Sequence, residues 1–106
     1  MKTSTWFDEG TSVWKFPLTM CSYQDLELPK GAQILCVQAQ YDSLVLWAIC
    51  DVHGEAKETR HFRVSGTGHR LAFGEDAKKY TSRKYIGTVQ FDQGDTILHV
   101  FELFND

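Results

Sequence analysis

Proline and cysteine are both scarce in this chain of 106 residues, which holds two of the first and three of the second. The thiols, Cys21, Cys36 and Cys50, form no Cys-x-x-Cys pair, and an odd number cannot all pair internally, which argues against a disulfide framework. Cys36 and Cys50 lie inside apolar runs, where a free thiol acts as a small buried hydrophobe. Long apolar runs are missing too. The longest, Leu44 to Cys50, is seven residues, against the roughly 20 that a membrane-spanning helix needs. No membrane partner is therefore expected. The opening Met1 to Gly10 lacks the apolar core of a signal peptide, so the reducing cytoplasm is the expected compartment. A polycationic excess is also lacking: 11 basic residues stand against 14 acidic ones, a net of −3. Binding of duplex nucleic acid by phosphate neutralisation is not expected from such a balance. There is no internal repeat and no low-complexity tract.

What the chain does have is strand-forming apolar sequence. Leu, Ile, Val and Phe fill 27 positions, enough for one core at a length where single domains are the rule. Residues 1–12 read as a flexible polar tail whose Trp6 and Phe7 are expected to pin it to the surface, and residues 13–106 as a single β domain. Val13 to Leu18 reads as a first strand with Trp14 and Phe16 on one face, and Pro17 assigns it to a sheet edge because proline cannot donate to a ladder. Leu26 to Gly31 alternates and then turns. Gln33 to Gln40 predicts a half-buried strand with Leu35, Val37 and Ala39 on one face, followed by a hairpin into Leu44 to Cys50, apolar enough to be buried on both faces. Glu58 to Ser65 alternates again, with Arg60, Phe62 and Val64 opposite Thr59, His61 and Arg63. Residues 66–83 are irregular, with at most two helical turns between Gly74 and Tyr80. Lys84 to Phe91 and Thr96 to Phe104 predict a second hairpin, with Gly94 at the positive-φ position of its loop. The expected fold is all-β: an antiparallel small barrel or sandwich of about six strands with little helix.

The chemistry-bearing residues form no established motif. Gly66-Thr67-Gly68 follows a strand, but position 71 is Leu71 where a dinucleotide-binding loop needs its third glycine. His53, His61, His69 and His99 lack metal-ligand spacing, so no metal and no cofactor is expected. His99 alternates with Ile97 and Phe101 and reads as a core-facing histidine held by a hydrogen bond, with a polar group at a pocket floor as the alternative. No nucleophile sits in a Gly-x-Ser-x-Gly frame, and no nucleophile and base pair by spacing, so the chain is not expected to be an enzyme.

Charge is the anomaly. Residues 57–84 carry eight basic and three acidic residues, a net of +5, while the remainder carries three basic and eleven acidic, a net of −8. This segment gathers Arg60, Arg63, His69 and Arg70 around the turn Gly66-Thr67-Gly68, where backbone N–H groups and guanidinium forks can jointly hold an anion. These seven residues, with Trp47 as an aromatic anchor, are the candidate binding site; the competing reading is a solvated charged face.

The ordered segments Val13-Trp14-Lys15-Phe16, Leu28-Pro29-Lys30-Gly31-Ala32, Leu46-Trp47-Ala48, Arg60-His61-Phe62, Gly66-Thr67-Gly68-His69, Tyr85-Ile86-Gly87-Thr88 and His99-Val100-Phe101-Glu102 resemble a family of small proteins encoded by tailed bacteriophages. The resemblance spans about residues 13–102 and transfers no catalytic residue. It implies an accessory protein in the host bacterial cytoplasm. The expected role is to antagonise a host defence or host machinery by stoichiometric binding of a host protein or a phosphorylated small molecule such as a nucleotide. The alternative is a structural or assembly module, with homo-oligomers formed through an edge strand.

Overall fold

The computed structural model describes residues 10–106; the expected docking of Trp6 and Phe7 lies outside them. Seven strands form: β1 (Thr11–Leu18), β2 (Tyr23–Pro29), β3 (Gln33–Gln40), β4 (Ser43–Asp51), β5 (Lys57–Gly66), β6 (Ser82–Phe91) and β7 (Thr96–Phe104). A single helical turn, α1 (Gly74–Ala77), and a short 3-10 turn at Asp92–Gly94 complete the secondary structure of the described residues. The strand beyond the expected six is β2. The alternation of Leu26 and Leu28 is too short to mark a strand by itself, with Gln24 and Asp25 before it, but pairing with β5 extends it over Tyr23–Pro29.

Every pairing is antiparallel. One sheet has the order β1-β4-β3 and the other β2-β5-β7-β6, so the chain builds a two-sheet sandwich rather than a closed barrel. Pro17 does lie on an edge strand, β1. Both hairpins form: β3–β4 turns through Tyr41 at φ 56°, and β6–β7 turns through Asp92, Gln93 and Gly94, all at positive φ.

The core follows from strand parity. Leu44, Leu46, Ala48 and Cys50 of β4 face Phe62 and Val64 of β5, with Leu28, Val37, Val89 and Val100 closing the layer. Burial raises the thiol pKa of Cys50 above its ordinary value, which keeps it a neutral hydrophobe. Val45 and Ile49 on the other face of β4 are buried as well, as the continuous apolar run requires.

Two face assignments differ from the expected ones. A β-bulge between Ile34 and Cys36 hands the core position to Ile34 and leaves Leu35 half-exposed, so Leu35 does not share the face of Val37. His99 is not core-facing: its neighbours Leu98 and Val100 take the core, and His99 stands on the outer face of the four-stranded sheet.

Candidate functional site

Strand order dictates what happens on that outer face. β5 and β6 flank β7, so the connector 67–81 must cross β7 to join them. It crosses over the outer face, and Arg63 is its anchor. By parity Arg63 points away from the core, yet only 2% of it is exposed, because the connector covers it. Its Nε donates to Leu71 O at 2.8 Å, its Nη2 to Arg70 O at 2.6 Å, and its Nη1 to Ser22 O at 3.4 Å and to Val64 O. The guanidinium lies 5.1 Å from the Tyr23 ring centroid and 5.0 Å from that of Phe73. The Tyr23 hydroxyl donates to Leu71 O at 3.1 Å and accepts from Phe73 N–H at 3.3 Å. Farther along, Tyr80 stacks on Tyr23 and tilts against His61, whose Nδ1 meets Asp25 at 2.7 Å.

Each residue of the glycine turn has a place. Gly66 lies under the His69 ring, where an added Cβ would come within 3.0 Å of imidazole atoms. The Thr67 hydroxyl meets His99 Nε2 at 2.7 Å, His99 Nδ1 meets the Thr88 hydroxyl at 3.0 Å, and Thr88 meets Tyr85 OH at 2.6 Å. Gly68 adopts φ 86° and His69 N–H closes the turn on Gly66 O at 3.1 Å. The Thr67–His99 pair has the spacing of a hydroxyl and a base, but a neutral hydroxyl rather than a carboxylate holds the far side of the ring. Its evident work is to tie the turn to β6 and β7.

Ser22, Arg63, His69, Arg70 and Phe73 line an open recess of about 420 Å³ beside this turn. Among the described residues, neither Arg63 nor Arg70 has a carboxylate partner. The recess is therefore cationic, with one apolar wall from the half-exposed Phe73 ring.

Two expected members lie elsewhere. Arg60 has the parity of Phe62, so it enters the sandwich interior at one end. There its Nε and Nη2 donate to the two carboxylate oxygens of Glu102 at 2.6 and 2.9 Å, and its Nη1 to Ala32 O at 2.6 Å. Glu102 hydrogen bonding raises the Arg60 pKa further above its ordinary value, despite the opposing cost of burial. Trp47 lies on the outer face of the other sheet, with the Lys15 ammonium 6.0 Å from its ring. The sequence reading thus groups Arg63, Gly66, Thr67, Gly68, His69 and Arg70 as the structure does, and misplaces Arg60 and Trp47, because strand parity and sheet membership separate them. It misses Ser22, which the pairing of β2 with β5 brings beside Arg63, and Phe73, which the connector lays over the same guanidinium.

Among the described residues no cluster of His, Cys, Asp and Glu could hold a metal ion, and no helix is long and apolar enough to cross a membrane. No curated protein and no solved structure matches the chain. Residues 10–106 match the model of a family described as a domain of unknown function (DUF7352), and the chain belongs to that family.

Proposed function

We propose that this domain is a non-enzymatic binding module that captures an anionic group in the recess of Ser22, Arg63, His69, Arg70 and Phe73. The observation that carries the reading is the Arg63 guanidinium, buried on neutral acceptors alone. A cation taken out of water without a counter-charge leaves a positive potential that a bound anion relieves. Arg70 adds a second guanidinium at the rim, and Phe73 adds a surface for an apolar or planar group. The resemblance to small phage proteins supports a setting for this capture. There the module antagonises a bacterial host defence or host machinery by occupancy, its anion carried by a host protein or by a phosphorylated small molecule.

Because Arg63 also holds the connector, Arg70 is the residue to change. Thermal shift with inorganic phosphate and a panel of linear and cyclic nucleotides, beside affinity capture from expressing bacteria, tests the reading with wild type and Arg70→Glu. A ligand or captured partner lost in Arg70→Glu at unchanged melting temperature is the expected result. Equal binding by both proteins, or no binding in either assay, overturns it.

A further inference from the structure

Three imidazoles stand on the outer face of the four-stranded sheet or in the connector above it, and their surroundings differ. His61 has Asp25 at 2.7 Å from Nδ1, and His99 is held through both ring nitrogens by the hydroxyls of Thr67 and Thr88. The third, His69, hydrogen-bonds through its backbone: its N–H closes the turn on Gly66 O, while among the described residues neither ring nitrogen has a partner. The ring is nonetheless seated. It lies against Gly66, where a Cβ would stand 3.0 Å from Cε1 and Nδ1 and 3.6 Å from Nε2, so the missing side chain at position 66 makes the room it occupies. From that seat it lines the recess with Ser22, Arg63, Arg70 and Phe73.

The charges around this ring have one sign. Arg63 of β5 and Arg70 of the connector share the recess, and no Asp or Glu lines it. Among the described residues, neither guanidinium nor the His69 imidazole has a carboxylate within ion-pair distance. The far side of the turn adds the Thr67 hydroxyl and His99. A guanidinium keeps its charge throughout the working range of a protein, whereas an imidazole ordinarily changes charge between about pH 5 and 8. His69 is therefore the group through which the recess senses protons. A neutral imidazole offers an oxyanion one N–H and one lone pair; the imidazolium offers two donors and a full charge.

On the reading that this recess captures an anion, we propose that it is a proton-linked site for a fully ionised tetrahedral oxyanion, which binds with uptake of a proton from solvent onto His69. Capture strengthens in acid, and release follows a rise in pH. The sign comes from linkage: an anion in contact with His69 favours the imidazolium, and the imidazolium favours the bound anion by the same factor. One extra unit charge at contact distance in an open, water-accessible recess is worth about tenfold in affinity. The two guanidiniums supply the affinity that persists at higher pH.

Sulfate is the probe, because its charge is constant across this range whereas that of phosphate is not. Sodium sulfate is titrated into the intact protein at about pH 5.5 and about pH 8, at constant ionic strength. Amide shifts locate the site, the Cε1 proton of each imidazole reports its charge, and calorimetry in buffers of different ionisation enthalpy counts protons. The expected result is affinity about tenfold tighter at the lower pH, proton uptake at neutral pH, and a His69 resonance that sulfate drives toward its imidazolium position while those of His61 and His99 stay. His69→Gln keeps an N–H donor without a titrating ring and should flatten the pH profile; the wild-type resonance needs no variant. Equal affinity at both pH values, binding without proton uptake, or a profile retained in His69→Gln overturns the proton linkage and leaves anion capture standing. No sulfate binding at either pH overturns both.

Discussion

Arg63 is the side chain on which the outer face depends. A guanidinium presents its donors in a plane, and here that plane spans carbonyls of Ser22 and Val64 on one side and of Arg70 and Leu71 on the other. Replacing it by Met keeps the aliphatic stem and removes the donors, which strands acceptors beneath the connector. The expected cost of Arg63→Met is about 3 kcal/mol, from lost bonds and unsatisfied buried carbonyls. Arg63→Lys should recover little, because an ammonium cannot fork to carbonyls on both sides at once. Denaturant unfolding gives the energies, and amide exchange gives the location. Exchange in residues 67–80 should accelerate far more than in β4 or β5. Uniform acceleration, or full rescue by lysine, would show that Arg63 is not the anchor.

The strands themselves show how much of the molecule is legible one residue at a time. Both hairpins are, since β3 with β4 and β6 with β7 are neighbours in sequence and their pairing needs only a turn and an apolar pattern. β2 is not, because it pairs with β5 across a long stretch of chain and carries polar residues in its first half. The bulges at Leu35 and Ile86 escape notice for a related reason: each shifts register by one residue, and parity read straight through Gln33 to Gln40 assigns Leu35 to the wrong face. In the candidate site, Gly66 to Arg70 is readable because it is one continuous segment, whereas Arg60 and Arg63 look alike in sequence and lie on opposite faces of one strand. Gly87 records the contact between elements most directly. Gly87→Ala places a methyl 3.0 Å from Val37 Cγ2, and forcing β6 from β3 should cost about 1–2 kcal/mol. Val37→Ala alone opens a cavity in the core. In the double variant the new methyl occupies space that the valine vacates, so the summed penalties should exceed the double-variant penalty by about 1 kcal/mol. Strict additivity in urea unfolding would mean that β3 and β6 do not bear on each other.

At the scale of the whole molecule, the charge asymmetry resolves into separate fates. Of the basic residues in 57–84, Arg60 is spent on Glu102, Lys78 on Glu75 and Lys79 on Asp76, and Arg63 is buried under the connector. The outer face therefore presents local positive spots rather than a continuous cationic sheet, which suits recognition of a single anionic group better than of a polyanion. What unites these surfaces is the core between the sheets. Leu46 in one sheet and Phe62 in the other are both fully buried members of one cluster, so neither sheet has an apolar layer of its own to fall back on. A three-stranded sheet cut from its partner would expose Leu44, Leu46 and Ala48 to water, and would lose the burial that offsets its conformational entropy. Leu46→Ala and Phe62→Ala should each cost about 3–4 kcal/mol and should do so as a loss to the whole domain. Fluorescence of Trp14 and Trp47, both on the three-stranded sheet, and far-ultraviolet circular dichroism should report one coincident transition in each variant. If Phe62→Ala, a change in the opposite sheet, leaves the tryptophan transition in place while the dichroism melts earlier, the two sheets are independent units. The single-core account of this sandwich would then fail.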